Sequence, residues 1–185
     1  MKKYAILVVD MLNDFVSGAL KCERGEQIVP ALAHFLDEAR NNKIPVIFCN
    51  DAHLKNIDHE FKIWAPHAIK GSKGAEVIPQ LHLDENIDYV VPKRRYSGFF
   101  HTDLDLLLNE LGISTVVMCG LHTHMCVRHT TADAFQLGYE IIVNKDGVNA
   151  FTKEDHENGL DYLKNVYGAK ILSDSEIIDL FKNQY

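Results

Sequence analysis

The sequence has no C-x-x-C pair, no basic tract, no internal repeat and no low-complexity linker. Nor does it contain anything near the roughly 18 consecutive apolar residues of a membrane-spanning helix. Its four cysteines, Cys22, Cys49, Cys119 and Cys126, lack paired spacing. That excludes a disulfide framework and fits a reducing compartment, where a free thiol serves either packing or chemistry. The 19 Lys and Arg residues occur as isolated pairs, such as Lys2-Lys3 and Arg94-Arg95, against 26 Asp and Glu, for a net charge of −7. This balance points away from a nucleic-acid or anionic-membrane surface. The opening MKKYAILVVD has the charged start of a secretory leader, but its apolar run is only five residues, Ala5 to Val9, and meets Asp10 without a small-residue cleavage site. It reads as a strand, and the expected location is the cytoplasm.

What is present is an ordinary globular composition, 46% hydrophobic and 24% charged. At this length about 70% of the unfolded chain's surface becomes buried on folding, so a core forms without staples. A single domain over residues 1–185 is expected. Apolar stretches of strand length alternate with helical patterns from end to end, the signature of an α/β protein of three layers, helices on both faces of a six-stranded, mostly parallel sheet. The expected strands are Tyr4–Val9, Pro45–Asn50, Asp88–Val91, Thr115–Gly120, Tyr139–Val143 and Lys170–Leu172. Their near-continuous Val, Ile and Leu content suits strands buried on both faces. Helical spacing marks Ile28 to Leu36 and Leu104 to Leu111, the latter behind Thr102 as an N-cap, with further helices over Met125–Leu137, Lys153–Val166 and Ser175–Lys182. Asp51–Ala75 has little periodicity, three histidines and two glycines. An irregular insert of this length in a compact domain marks function or disorder, and Trp64 and Pro66 favour function.

In open parallel sheets, ligands collect beyond the carboxyl ends of the strands. Asp10 ends the first expected strand, Asn50-Asp51 the second, Pro92-Lys93 the third, and Gly120 leads into His122–Cys126 after the fourth. An acid, a cation and a thiol thus converge. Cys126 is expected at a helix N-terminus, where the dipole and a nearby cation lower a thiol's ordinary pKa of about 8.5. Asp10 is placed to take its proton, and Lys93 to hold carboxylate and thiolate together by charge. The alternatives are a buried small hydrophobe for Cys126, a capping carboxylate for Asp10 and a solvated Lys93.

Asp51, His53, His59 and His67 form a second constellation, all within the irregular segment. Imidazole with carboxylate is a borderline ligand set that suits Zn, Fe or Mn and leaves positions open for water or substrate. The alternative is a polar loop whose histidines cap backbone groups.

With these residues in place, the chain closely resembles the isochorismatase-like cysteine hydrolases, and among them the nicotinamidase/pyrazinamidase branch. The resemblance runs through most of the chain, on AILVVDMLNDF at 5–15, NDAH at 50–53, WAPHAIKGSKGAE at 64–76, VPKRRYSGFF at 91–100 and CGLHTHMCVRHTTADAFQLGYEIIVNKDGV at 119–148. It implies that Asp10, Lys93 and Cys126 are the catalytic aspartate, lysine and cysteine. It also implies that Asp51, His53 and His67 hold a divalent metal, Zn in the first place with Fe or Mn as options, and that His59 is the intermediate histidine. A cis peptide is implied at Leu121-His122, with the N–H groups of His122 and Cys126 as oxyanion donors. Phe15, Trp64 and Tyr96 match aromatic pocket positions, although Phe15 and Trp64 also suit a core.

The implied reaction is hydrolysis of a small amide, nicotinamide first, through a thioester on Cys126 with release of ammonia. Isochorismatases proper lack the nucleophilic cysteine, so Cys126 argues against that branch. Three departures touch the pocket rather than the triad. Thr123-His124 stands where Thr-Asp is usual, Ala52 stands between Asp51 and His53 where the branch has tryptophan, and the stretch from Lys93 to Tyr96 is short. They keep an N-carbamoylsarcosine amidase-like activity open as an alternative. A non-catalytic binding or assembly subunit is the reading of another class, and the intact triad speaks against it. The resemblance further implies a homo-oligomer.

Overall fold

The sequence YAILVV of β1 (Tyr4–Val9) is buried at every position, which requires a strand in the middle of a sheet covered on both faces. The structure, a computed structural model, describes residues 3–182. In it β1 is followed by α1 (Asn13–Val16), α2 (Glu23–Gln27), α3 (Val29–Asn41), β2 (Val46–Asp51), β3 (Tyr89–Lys93), α4 (Leu104–Glu110), β4 (Thr115–Leu121), α5 (Cys126–Gln136), β5 (Glu140–Asn149), α6 (Lys153–Tyr167), β6 (Lys170–Leu172) and α7 (Asp174–Lys182). The strands form one sheet in the order β3-β2-β1-β4-β5-β6, and every pairing is parallel. The chain runs outward from β1 in one direction and from β4 in the other, so the topological switch point lies between β1 and β4.

Successive side chains of β1 point to opposite faces. Tyr4, Ile6 and Val8 join the core that includes α1, α3 and α7, with Cys22 and Ile28 from the two ends of α2. Ala5, Leu7 and Val9 join the one that includes α4, α5 and α6. In α3 the buried residues Val29, Leu32, Phe35, Leu36 and Ala39 fall at helical spacing, and Pro30 opens the helix where a missing N–H does no harm. Burying each such large side chain contributes about 1.5–3 kcal/mol. Thr152 caps α6 by accepting from the Asp155 N–H at 3.0 Å, and Gly168 ends it with φ 65. No helix among the described residues is long and apolar enough to cross a membrane.

The architecture agrees with the expectation, with local differences. The sheet is parallel throughout rather than mostly so. β5 continues to Asn149 through a register shift opposite Met118 and Gly120, beyond the expected end at Val143. Asn144 makes this possible by accepting from the N–H groups of Asp146 and Gly147, both at 3.1 Å. The short α1 and α2 lie where the sequence marks no element, and Cys22 caps α2 by accepting from Gly25 N–H at 3.3 Å. Asp103 rather than Thr102 is the N-cap of α4, although Thr102 Oγ1 accepts from Leu104 N–H at 3.3 Å. The segment 51–75 is irregular as expected, with 3-10 turns at His59–Lys62 and Lys73–Ala75. A parallel bridge between His53 and Ile69 draws its two ends together.

Candidate active site

Gly120 decides how closely β4 approaches β1. It has φ +100, and a Cβ there would lie 2.0 Å from the carbonyl oxygen of Val9. That approach brings the loop leaving β4 against the residue leaving β1, Asp10. Asp10 has φ 53, an uncommon conformation for a non-glycine residue that costs on the order of 1 kcal/mol or more. It is held by its own N–H, which donates to Cys49 O at 3.1 Å, and by Asp51 N–H, which donates to Asp10 Oδ1 at 2.8 Å. Lys93, at the end of β3, reaches back under the strand ends. Its Nζ lies 2.7 Å from Asp10 Oδ2 and 2.6 Å from Asp51 Oδ1, with the side chain fully buried. Cys126, the first residue of α5, sets its Sγ within 4.8 Å of a carboxylate oxygen of each aspartate.

The electrostatics correct one expectation. Burial pushes the Cys126 thiol well up; Lys93 pulls the other way, but the carboxylates of Asp10 and Asp51 reinforce burial. Burial, the largest of these influences, thus favours the neutral thiol over the thiolate. Burial, with the charge of Asp51, also raises Asp10 to about 6 against the pull of Lys93. Asp51 goes the other way: burial raises it, and Lys93 with His53 outweighs that and holds it low. Burial would lower Lys93, and the two aspartates more than offset this, so it stays charged.

Asp51 turns its other oxygen toward the second constellation. Oδ2 lies 3.4 Å from His53 Nε2 and 4.0 Å from His67 Nε2, and Glu60 Oε2 lies 3.7 Å from His53 Nε2. His67 Nδ1 faces the Ala65 carbonyl at 2.8 Å; a carbonyl only accepts, so Nδ1 carries the proton and Nε2 keeps its lone pair. Both ring nitrogens of His53 are buried with no hydrogen-bond partner. One ligand atom from each of Asp51, His53, Glu60 and His67 lies within 4.8 Å of the others. Ligands at about 2.0–2.2 Å from one ion stand about 3 to 4 Å apart. Burial and the Asp51 carboxylate raise Glu60 to about 7, the mark of acids crowded without enough positive charge. Unpartnered nitrogens, spacing and charge all fit a divalent cation.

His59 is the one expected ligand that the structure leaves out. It is exposed and lies outside this cluster, and its neighbour Glu60 is buried within it. The reason is the 3-10 turn at His59–Lys62. At three residues per turn, adjacent side chains project about 120° apart, so only one of the pair faces inward.

Both constellations open on one cleft lined by Phe15, Trp64, Tyr96, His122, Met125 and Phe151 together with Asp51, Glu60, His67 and Cys126. All three expected aromatic residues stand in its wall. Trp64 Nε1 donates to Tyr96 Oη at 3.0 Å, joining the irregular insert to the loop after β3. The His122 ring stacks on Phe151 at 3.9 Å and meets the edge of Phe15 at 5.8 Å. Burial holds His122 down at about 3, hence neutral. The Leu121-His122 peptide is cis. The N–H groups of Thr123, Met125 and Val127 are occupied by backbone carbonyls, at 2.8, 2.9 and 3.3 Å; those of His122 and Cys126 make no such loop bond among the described residues.

Sequence reasoning missed Glu60, the His122 ring and Phe151. Glutamate is common on surfaces and Phe151 lies far along the chain; only the turn at 59–62 and the end of β5 bring them in.

A chain with this sheet order and these strand-end groups has close counterparts. An isochorismatase domain matches residues 4–175. The N-carbamoylsarcosine amidase from Thermoplasma acidophilum is 40% identical with a TM-score of 0.87, covering 93% of this chain and 96% of its own. Nicotinamidase PncA from Bacillus subtilis is 33% identical with a TM-score of 0.87, covering 92% of this chain and 99% of its own. The pyrazinamidase of Pyrococcus horikoshii, solved in complex with zinc, is 30% identical with a TM-score of 0.85, at 92% and 99% coverage. Fold, order of landmarks and matched length agree: this chain belongs to the isochorismatase family of hydrolases.

Proposed function

We propose that the protein is a cysteine amidohydrolase that releases ammonia from a small planar carboxamide, with nicotinamide as the substrate and nicotinate as the product. The observation that carries this reading is a single aromatic-walled cleft with Cys126 and the Asp51, Glu60 and His67 acceptors on its lining, and no Lys or Arg among its lining residues. Aromatic walls suit a flat ring, and the absence of a lining Lys or Arg suits a substrate without a carboxylate or phosphate.

Asp10 takes the thiol proton as Sγ of Cys126 forms a bond to the amide carbon. The carbonyl oxygen gains the negative charge, and the N–H groups of His122 and Cys126 are free to donate to it, an effect typically worth about 3 kcal/mol per donor. Asp10 then returns the proton to the leaving nitrogen; the carbon–nitrogen bond breaks and ammonia departs, leaving the acyl group as a thioester. Water attacks that carbonyl as Asp10 accepts its proton, and the acid and free thiol are regenerated. Lys93 stays charged throughout and keeps Asp10 in reach of both. Asp51, His53, Glu60 and His67 would hold a divalent metal, with Zn first and Fe or Mn as alternatives. Such an ion supplies a Lewis-acid anchor for a ring nitrogen or water.

The higher identity to an N-carbamoylsarcosine amidase supports a second reading, hydrolysis of an N-carbamoyl compound by the same triad. Ammonia release from nicotinamide, pyrazinamide and N-carbamoylsarcosine by wild type and Cys126→Ala tests both. Cys126-dependent release from the ring amides supports the first reading, and release from the carbamoyl compound alone replaces it with the second. Silence on all three defeats both.

A further inference from the structure

Asp58 lines no part of the catalytic cleft, yet its side chain is fully buried and is the most heavily contacted carboxylate near it. Arg94 Nε donates to Oδ2 at 2.9 Å, Arg95 Nη1 to Oδ1 at 2.8 Å and Leu54 N–H to Oδ2 at 3.3 Å. The same Oδ2 lies 3.2 Å from His53 Nδ1, on the side of the ring away from the cluster. A buried carboxylate is costly unless it is paired and hydrogen-bonded, and here two guanidinium groups supply the pairing. Those arginines directly follow Lys93. One strand end therefore delivers a cation to the Asp10/Asp51 pair and two more to the carboxylate behind His53.

An imidazole offers Nε2 to a cation only when its proton sits on Nδ1, and a carboxylate facing Nδ1 selects that tautomer and fixes the ring. His67 has the Ala65 carbonyl for this purpose; for His53 the group facing Nδ1 is the Asp58 carboxylate, 3.2 Å away but outside hydrogen-bond geometry, so it acts on the ring through its charge. We propose that Asp58, held by Arg94 and Arg95, is a positioning residue that acts through His53 and sets the affinity of the Asp51/His53/Glu60/His67 cluster for divalent cations. The inference rests on the metal part of the proposed function.

The test uses the full chain, stripped of metal, titrated with Zn²⁺ against a chromophoric chelator and with Co²⁺ followed by its visible bands. Asp58→Ala is expected to weaken Zn²⁺ binding about 10–100-fold. Asp58→Asn should weaken it less, because an amide oxygen still faces Nδ1, and both should shift the Co²⁺ bands. The Asp58→Asn loss should vanish in a His53→Ala background, since the ring it acts on is gone. Equal loss in both backgrounds, or unchanged affinity and bands in the folded Asn variant, overturns the inference and leaves Asp58 as a tie between insert and strand. Should the Ala variant not fold, the Asn variant and the double variant decide alone. Failure of the wild type to bind either ion would appear before any variant is made and would defeat the metal reading itself, and this inference with it.

Discussion

Lys93 and Asp10 meet at 2.7 Å with both side chains buried, at the ends of two strands separated in the sheet by β2. The pair is therefore a structural joint as well as a part of the proposed catalytic group. Removing one partner of a buried ion pair strands the other charge and costs about 3–5 kcal/mol. Lys93→Ala is expected to lose turnover and to lower the urea-unfolding free energy by that amount. A fully stable variant would show that Asp10 and Asp51 do not depend on this cation.

Cys126 is a small buried side chain at the first position of α5, so its replacement by Ala takes one sulfur atom from the core and, on the proposed mechanism, the nucleophile. Cys126→Ala is expected to abolish ammonia release, a loss of at least about a thousandfold. Stability should move by about 1 kcal/mol or less, hence Tm by about 2–4 °C. Residual turnover near the wild-type rate would remove the nucleophile from the mechanism.

The four-residue cluster predicts a metal requirement. Stoichiometric Zn, Fe or Mn is expected by elemental analysis of the purified protein. Chelation should suppress hydrolysis of ring amides, and His67→Ala should lower the metal content, because Nδ1 bonded to the Ala65 carbonyl leaves the Nε2 lone pair directed at the cluster. Unchanged content in that variant would detach His67 from the cluster.

Tyr96→Phe removes the acceptor for Trp64 Nε1 and nothing else of comparable size. A hydrogen bond of this kind is worth about 0.5–1.5 kcal/mol net. The expected result is a rise of about two- to tenfold in KM for nicotinamide with kcat nearly kept. A fall in kcat alone would show that the wall acts on the reaction rather than on binding.

Gly120→Ala tests the close approach of β4 to β1. Its Cβ would sit 2.0 Å from a backbone oxygen, in a left-handed conformation that alanine disfavours. Destabilisation of about 4 kcal/mol or more is expected in chemical denaturation. A mild effect would mean that the two central strands can part without loss of the fold.

The fold was legible because strands buried on both faces are apolar without interruption; AILVV and STVVMC allow little else. The Asp10, Lys93 and Cys126 positions were legible for a related reason, since each is a polar or nucleophilic group directly beyond such a run. The tail of β5 was not, because Asn144–Gly147 has the composition of a turn and becomes strand only where Asn144 satisfies the backbone locally. His59 against Glu60 was not legible either: the choice turns on the phase of a 3-10 turn, which neither residue encodes alone. The upward shift of the Cys126 thiol escaped a reading that counted Lys93 and the helix end but not the burial of the group, which the two carboxylates reinforce.

The sheet order has a consequence for assembly of the chain. β1 is made first, yet one of its two neighbours is β4, and the Lys3 N–H bonds Ser114 Oγ across 111 residues. Loop closure of that length has to precede the contacts that reward it, which slows folding relative to a protein of local contacts. A nascent chain holding β1, β2 and β3 already carries Asp10, Asp51 and Lys93, but one flank of β1 stays open until β4 emerges from synthesis. Cys126 comes only after that strand, so its thiol joins a site whose charges are already in the chain.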